Sequence, residues 1–226
     1  MGEWKRSFSA TASFTTAVLT GVVGIATLSK ATQVRAIPIA RIPLGFAAQQ
    51  VAEGMLWLGF VHAWPAYAML FIANFFVLIA LAFWPVWSPL AVGLAERVPA
   101  RRRAILALLP VGLVLAGYSA WNLAENPYAA SVVHHSICYI SRWPYPAAVV
   151  PVYMLCTVAP LFLSSDSLLR KLGGVLTIGA AVSLAVFYAS FVSVWCFFAA
   201  AASIGIYAFF HQRQLTALAA ARAAQP

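Results

Sequence analysis

A chain of 226 residues in which 63% are apolar and only 8% charged has too little polar surface to hold a fold of that size in water, which excludes a soluble domain. The apolar residues suffice for about seven spans of roughly 20 residues joined by short connections. A net charge of +9 would point to nucleic acid in a soluble protein. Here the basic residues take their meaning from where they fall between apolar runs, and no nucleic-acid partner is expected.

The first apolar run covers 11–29. Lys5 and Arg6 precede it as the n-region of a signal peptide would, but the run exceeds an h-region of about 7–15 residues, and Lys30 stands where a small-residue cleavage site is wanted. It is therefore read as a membrane helix. Further runs cover 42–61, 65–87, 103–121, 146–164, 172–190 and 192–210, several broken by Gly or Pro, which membrane helices tolerate. Lys30, Arg35 and Arg41 lie between the first two; Arg97, Arg101, Arg102 and Arg103 between the third and fourth; Arg170 and Lys171 between the fifth and sixth; Arg213 and Arg222 after the seventh. Only Lys5, Arg6 and Arg142 fall on the other side. The expected fold class is all-α integral membrane, with seven transmembrane helices, the amino terminus outside and the carboxyl terminus cytoplasmic. Residues 1–212 form the transmembrane domain, with a long outer loop at about 123–145, and 213–226 an Ala-rich cytoplasmic tail. Trp57, Trp64 and Tyr67 are expected at one interface and Trp84 and Trp87 at the other. The stretches from Pro89 to Gly112 and from Pro160 to Gly179 resemble each other, as an internal repeat or simple hairpin topology would make them.

Of five acidic residues, Glu53 alone sits well inside an apolar run. A carboxylate at a helix centre costs about 2.5–3.5 kcal/mol on insertion scales, so something offsets it or it is protonated. Gln49, Glu53 and Trp57 share a face at spacing i, i+4, with Gln50 beside them. Two readings stand: a site for a ligand, ion or proton, or a contact in which Glu53 hydrogen-bonds neighbouring helices. At 1.5 Å per residue Glu53 lies about 12 Å below the outer end of its helix. Tyr118, Trp121, Asn122, Ser193, Trp195 and Cys196 fall in the same layer and Asn74 somewhat deeper. The candidate ligand-binding residues read this way are Glu53, Gln49, Gln50, Trp57, Asn74, Asn122 and Trp195.

The outer loop carries Glu125, His134, His135, Cys138, Tyr139, Arg142 and Trp143. Its middle, Ala129 to Ile140, is expected as a short helix on or dipping into the membrane. There His134 and Cys138 share a face at i, i+4, so that His134, His135 and Cys138 are candidate ligands for zinc or copper. No third and fourth ligands follow at diagnostic spacing; histidines bonded to headgroups or loop carbonyls, or acting in pH sensing, are the alternatives. Cys138 and Cys196, both on the oxidising side, are a candidate disulfide that would close the loop over the bundle and exclude Cys138 from a metal. There is no Gly-rich phosphate loop, zinc-binding His-Glu-x-x-His or Gly-x-Ser-x-Gly elbow. The seventh helix has no lysine, which removes a retinal Schiff base. Arg101, Arg102 and Arg103 read as a cytoplasmic anchor against anionic lipid.

Several strings resemble a bacterial family of seven-helix membrane proteins known only as a domain of unknown function. They are Phe8-Ser9-Ala10-Thr11-Ala12-Ser13-Phe14, Gln49-Gln50 with Glu53-Gly54 and Trp57, Phe83-Trp84-Pro85-Val86-Trp87, Leu163-Ser164-Ser165, Phe191 to Ala200, and His135-Ser136-Ile137-Cys138-Tyr139. The match covers almost the whole chain. Members usually carry a cysteine just before the first string, where this chain has Ser7, so no role for that thiol carries over. The resemblance implies a bacterial inner membrane and no known activity; it points at Glu53, His135 and Trp195 and adds Tyr139 to the ligand-binding set. The function expected is binding, sensing or transport of a small ligand or ion from the outer side, with the lipid bilayer as partner. The alternatives are a membrane-embedded metal-dependent hydrolase acting on lipid, with His134, His135 and Glu53 around zinc or copper, and an accessory subunit of a membrane complex. Oligomeric state leaves no mark in the sequence.

Overall fold

The computed structural model describes residues 9–133, 136–142 and 149–223, with side chains described as far as residue 216. Helix α1 (Ala10–Lys30) begins where the Ser9 hydroxyl accepts from Ala12 N at 3.3 Å, which satisfies one of the donors a helix start leaves open. Two short turns, Val34–Ala36 and α2 (Ile37–Ala40), lead into α3 (Ile42–Val61). Helices α1 and α3 lie against each other along their length. Glycine permits this: a Cβ on Gly24 would strike Leu44, and one on Gly54 would meet the Phe14 ring at 2.8 Å.

Helix α4 (Ala66–Leu78) runs through a π-bulge at Ile79–Phe83 into α5 (Trp84–Ala95). Proline accounts for the irregularity. Pro85 and Pro89 have no N–H to offer, and at the bulge Trp84 N–H bonds Ile79 O, five residues back. Pro89 also leaves the Pro85 carbonyl without its helical donor. Gly112 packs on that carbonyl, where any Cβ would collide.

The chain returns through α6 (Pro99–Leu106) and α7 (Leu109–Glu125). The connection after α7 is then not helical: β1 (Ala129–Val133) pairs antiparallel with β2 (Ser136–Ile140), with Val133 opposite Ser136. Val132, Val133, Ile137, Tyr139 and Ile140 are the β-branched and aromatic residues that favour a pleated strand, and the hairpin pairs its backbone groups without a bilayer-depth helix. The i, i+4 helical face expected for His134 and Cys138 therefore does not form. Cys138 lies opposite Ser131 in the ladder, and His134 and His135 are outside the described residues. Helices α8 (Val149–Thr157) and α9 (Ala159–Leu163) run back, Asp166 caps α10 (Ser167–Val186) by accepting from Leu168 N, and α11 (Phe191–Ser203) and α12 (Gly205–Ala223) complete the chain. Helix α12 runs on to Ala223, through residues of the Ala-rich stretch.

Among the described residues, five helical rods are long and apolar enough to cross a membrane: Ala10–Lys30, Ala66–Ala95, Pro99–Glu125, Ser167–Val186 and Tyr188–Thr216. The other two expected spans are α3, whose 20 residues include Gln49, Gln50 and Glu53, and the shorter apolar rod Val149–Leu163. The surface is inverted relative to a water-soluble protein. Val22, Ile25, Phe71, Val114 and Ile178 face outward, whereas Ser13, Thr20, Thr27, Gln49, Gln50, Glu53 and Ser193 face in. That is the distribution a bilayer solvent selects. Two tryptophans expected at the interfaces are inside: Trp57 is 6% and Trp84 5% exposed. Trp64 and Trp87 are half-buried and Tyr67 is exposed.

Candidate ligand site

Helix α3 crosses between α1 and α11 and turns its polar residues inward. Ser193 on α11 donates its hydroxyl to Glu53 Oε1, and Gln50 Nε2 donates to Glu53 Oε2 at 3.3 Å. One turn toward the basic end, Gln49 bridges two helices: it accepts from Trp84 Nε1 at 3.0 Å and donates from Nε2 to Cys196 Sγ at 3.2 Å. Trp84 is held for this by Phe46, stacked on it at 4.1 Å between ring centres. All of these side chains are buried. The sequence put Trp84 at an interface because tryptophan is amphipathic; here its N–H finds a glutamine in the core instead.

The cluster is not closed on itself. Among the described residues, Gln50 Oε1, Trp57 Nε1 and the Tyr139 hydroxyl are buried without a hydrogen-bond partner. Tyr139 comes from β2 and stacks on Phe76 of α4 at 4.7 Å. Burial, then the nearby Glu53 and Cys196, push its phenol well above the usual range, so it stands as a neutral donor beside the cluster. Tyr139, Trp195 and Cys196 also line a cavity of about 380 Å³ beneath the hairpin, together with Tyr153, Leu184 and Val192. A smaller space of about 70 Å³ lies on the other side of Tyr153, Trp195 and Cys196 and reaches toward Trp84 and Ser88. Cys196 therefore links the hydrogen-bonded cluster to both spaces.

Of the candidate ligand-binding residues, Gln49, Gln50, Glu53, Trp57, Tyr139 and Trp195 gather here. Asn74 does not. It clasps the start of the hairpin, donating to Tyr128 O at 3.0 Å and accepting from Tyr128 N at 2.9 Å. Asn122 is buried on α7, where it accepts from Asn126 Nδ2 at 3.2 Å, and no contact ties it to Glu53. The Cys138–Cys196 pair is not joined: all three cysteines are free thiols, Cys138 donating to Ala189 O at 2.7 Å while Cys196 takes Gln49. Among the described residues no three His, Cys, Asp or Glu side chains gather to hold a metal. His134 and His135 lie outside that set, so the zinc or copper expectation rests on residues the structure leaves undescribed.

A second buried carboxylate went unread in the sequence. Glu96, at the far end of α5, is 6% exposed. It accepts from Arg97 N at 2.9 Å, Val98 N at 2.8 Å, Ser165 N at 2.7 Å, Ser164 Oγ at 3.0 Å and Ser165 Oγ at 2.6 Å. Burial alone would raise its pKa, but the donors of Ser165, Val98 and Ser164 outweigh it and hold the group at about 2 against an ordinary 4.5. Arg101 and Arg170 brace the same turn by donating to the carbonyls of Leu163, Ser164 and Ser165. The signal was an acid set in an otherwise basic connection, with two serines in the next one.

Fold and site together define a helical membrane protein that keeps a carboxylate and two glutamines inside its bundle. The chain belongs to a family of unknown function, DUF6629, which it matches over residues 6–222. No curated protein and no solved structure matches it.

Proposed function

We propose that the protein binds a small, largely apolar molecule carrying a hydrogen-bonding group, in the cavity beneath the hairpin, for sensing or transport. The observation that carries this is the pairing of a cavity of about 380 Å³ with a lining residue, Tyr139, whose buried hydroxyl has no hydrogen-bond partner among the described residues. An interior built only to lock helices together would satisfy such groups. Apolar and aromatic walls with a few convergent polar groups are what a small-molecule site consists of. In this reading Tyr139 donates to the ligand's polar end, Trp195 stacks against its body, and Glu53, held by Ser193 and Gln50, sets the local charge or takes a proton.

The reading includes seven crossings, with α3 and Val149–Leu163 joining the five longer rods, and a bacterial inner-membrane location with the hairpin outside. Supporting the orientation, the turns bearing Lys30, Arg97, Arg101, Arg102, Arg103, Arg170 and Lys171 all fall at the end opposite the hairpin, as the positive-inside rule requires of the cytoplasmic face. The test is native mass spectrometry of the protein released from membranes in mild detergent. A small molecule retained by the wild type and lost from Tyr139→Phe and Glu53→Gln is expected. Identical, ligand-free spectra for all three would overturn the proposal.

A further inference from the structure

The basic end carries more positive charge than its own acids neutralise, and the surplus is concentrated. Arg97, Arg102 and Arg103 surround a pocket of about 330 Å³ at the start of α6, with Pro99 and Leu106 as its apolar floor. Arg101, inside the same run, is turned elsewhere, its Nη1 donating to Leu163 O and Ser164 O at 3.1 Å each. The nearest acid, Glu96, is saturated by its five donors and offers Arg97 only a backbone contact. Asp166 faces Arg213 at 3.7 Å, the one ion pair among the described residues. Arg213 lies within reach of the charge of Arg97 as well as of Asp166 and Glu96. Three arginines thus line one pocket, and none of them forms an ion pair among the described residues.

We infer that this pocket is a binding site for a phosphoryl oxyanion at the membrane boundary. Guanidinium groups present paired donors that match phosphate oxygens, and several around one concavity give both charge and geometry. The depth suits a lipid headgroup. The pocket opens at the first turn of a rod that continues as the membrane-crossing Pro99–Glu125, and Leu113 and Val114 further along it are exposed for an acyl chain to lie against. A soluble phosphate carries the same oxyanion, and the experiment separates the two sources. The inference is independent of the proposed ligand cavity at the opposite end.

The measurement uses the full chain in mixed micelles, titrated with phosphatidylglycerol, with phosphatidylcholine and with inorganic phosphate, and reads bound species by native mass spectrometry. Three proteins are compared: wild type, R102Q/R103Q, and R35Q/R41Q, which removes equal charge from the same end. Preferential retention of phosphatidylglycerol over phosphatidylcholine is expected, falling about tenfold in R102Q/R103Q and unchanged in R35Q/R41Q. Binding of inorganic phosphate without phosphatidylglycerol keeps the site and assigns it a soluble ligand. Equal losses in both double variants would show diffuse surface charge and overturn the site, as would no loss in either. Should R102Q/R103Q fail to elute as a folded species, the single variant R97Q carries the same expectation.

Discussion

Glu53 and Glu96 are both withdrawn from solvent, at 3% and 6% exposure, yet they sit in opposite kinds of surroundings. Glu96 closes a turn between two helical hairpins and receives five hydrogen bonds, three of them from backbone N–H groups. Glu53 lies inside the bundle with two side-chain donors, next to polar atoms that have no partner. A carboxylate answered by five donors is a structural clasp, whereas one with a single side-chain donor on each oxygen, next to unpartnered polar atoms, leaves capacity for something else. The two ends of the molecule divide accordingly, one tied down by charge and one left partly open.

The two acids should differ most in what they contribute to stability. Glu96→Ala strips the clasp and leaves its donors buried, and unfolding in mixed micelles should show a loss of about 3 kcal/mol. Glu53→Gln keeps the shape and turns one acceptor oxygen into a donor, which the Ser193 hydroxyl can accept by reversing its bond, and should stay within about 1 kcal/mol of wild type by the same assay. Equal losses would erase the distinction. Gly112→Ala ranks next: its Cβ falls on the Pro85 carbonyl, so α7 must move away from α5, at about 2 kcal/mol. A wild-type midpoint would mean that the two helices separate freely.

Acid probes the clasp more gently. Because the folded pKa of Glu96 is depressed to about 2 from 4.5, its contribution is complete above pH 4.5 and disappears as pH falls toward 2. The melting temperature should therefore decline across that window in the wild type and decline less in Glu96→Gln. Matching profiles would place the acid sensitivity elsewhere. The smallest effect is expected of Tyr139→Phe, which removes a hydroxyl that bonds no other described residue. It should leave the unfolding free energy within about 0.5 kcal/mol of wild type; a large loss would mean that the hydroxyl serves the fold.

Much of this plan was legible in the chain. The apolar runs located the rods to within a few residues where nothing competed with hydropathy, as in α1 and α3, and the inward turn of Gln49, Gln50 and Glu53 followed from their shared helical face. The ends of α5 and α6 were harder to read. The apolar runs stop at Trp87 and resume at Arg103, whereas α5 continues through Pro89 to Ala95 and α6 starts at Pro99, where its proline fits a first turn and the basic run follows. The hairpin was misread because the i, i+4 spacing of His134 and Cys138 competed with the β-branched pattern of Val132, Val133 and Ile137, and backbone pairing favoured the latter. Ser193 and Trp84 were recognisable as residues but not as partners of Glu53 and Gln49, since side-chain pairing across helices depends on rotation about axes that hydropathy does not encode. Glu96 was passed over for lying at a span's end, where acids ordinarily meet water.

The most direct test is experimental density for the intact protein in lipid nanodiscs, read at the space bounded by Tyr139, Tyr153, Trp195 and Cys196. The account predicts a non-protein molecule filling much of those 380 Å³, its polar end within hydrogen-bonding distance of the Tyr139 hydroxyl. A collapsed or empty space, with the Tyr139 hydroxyl bonded to a protein group, would contradict it.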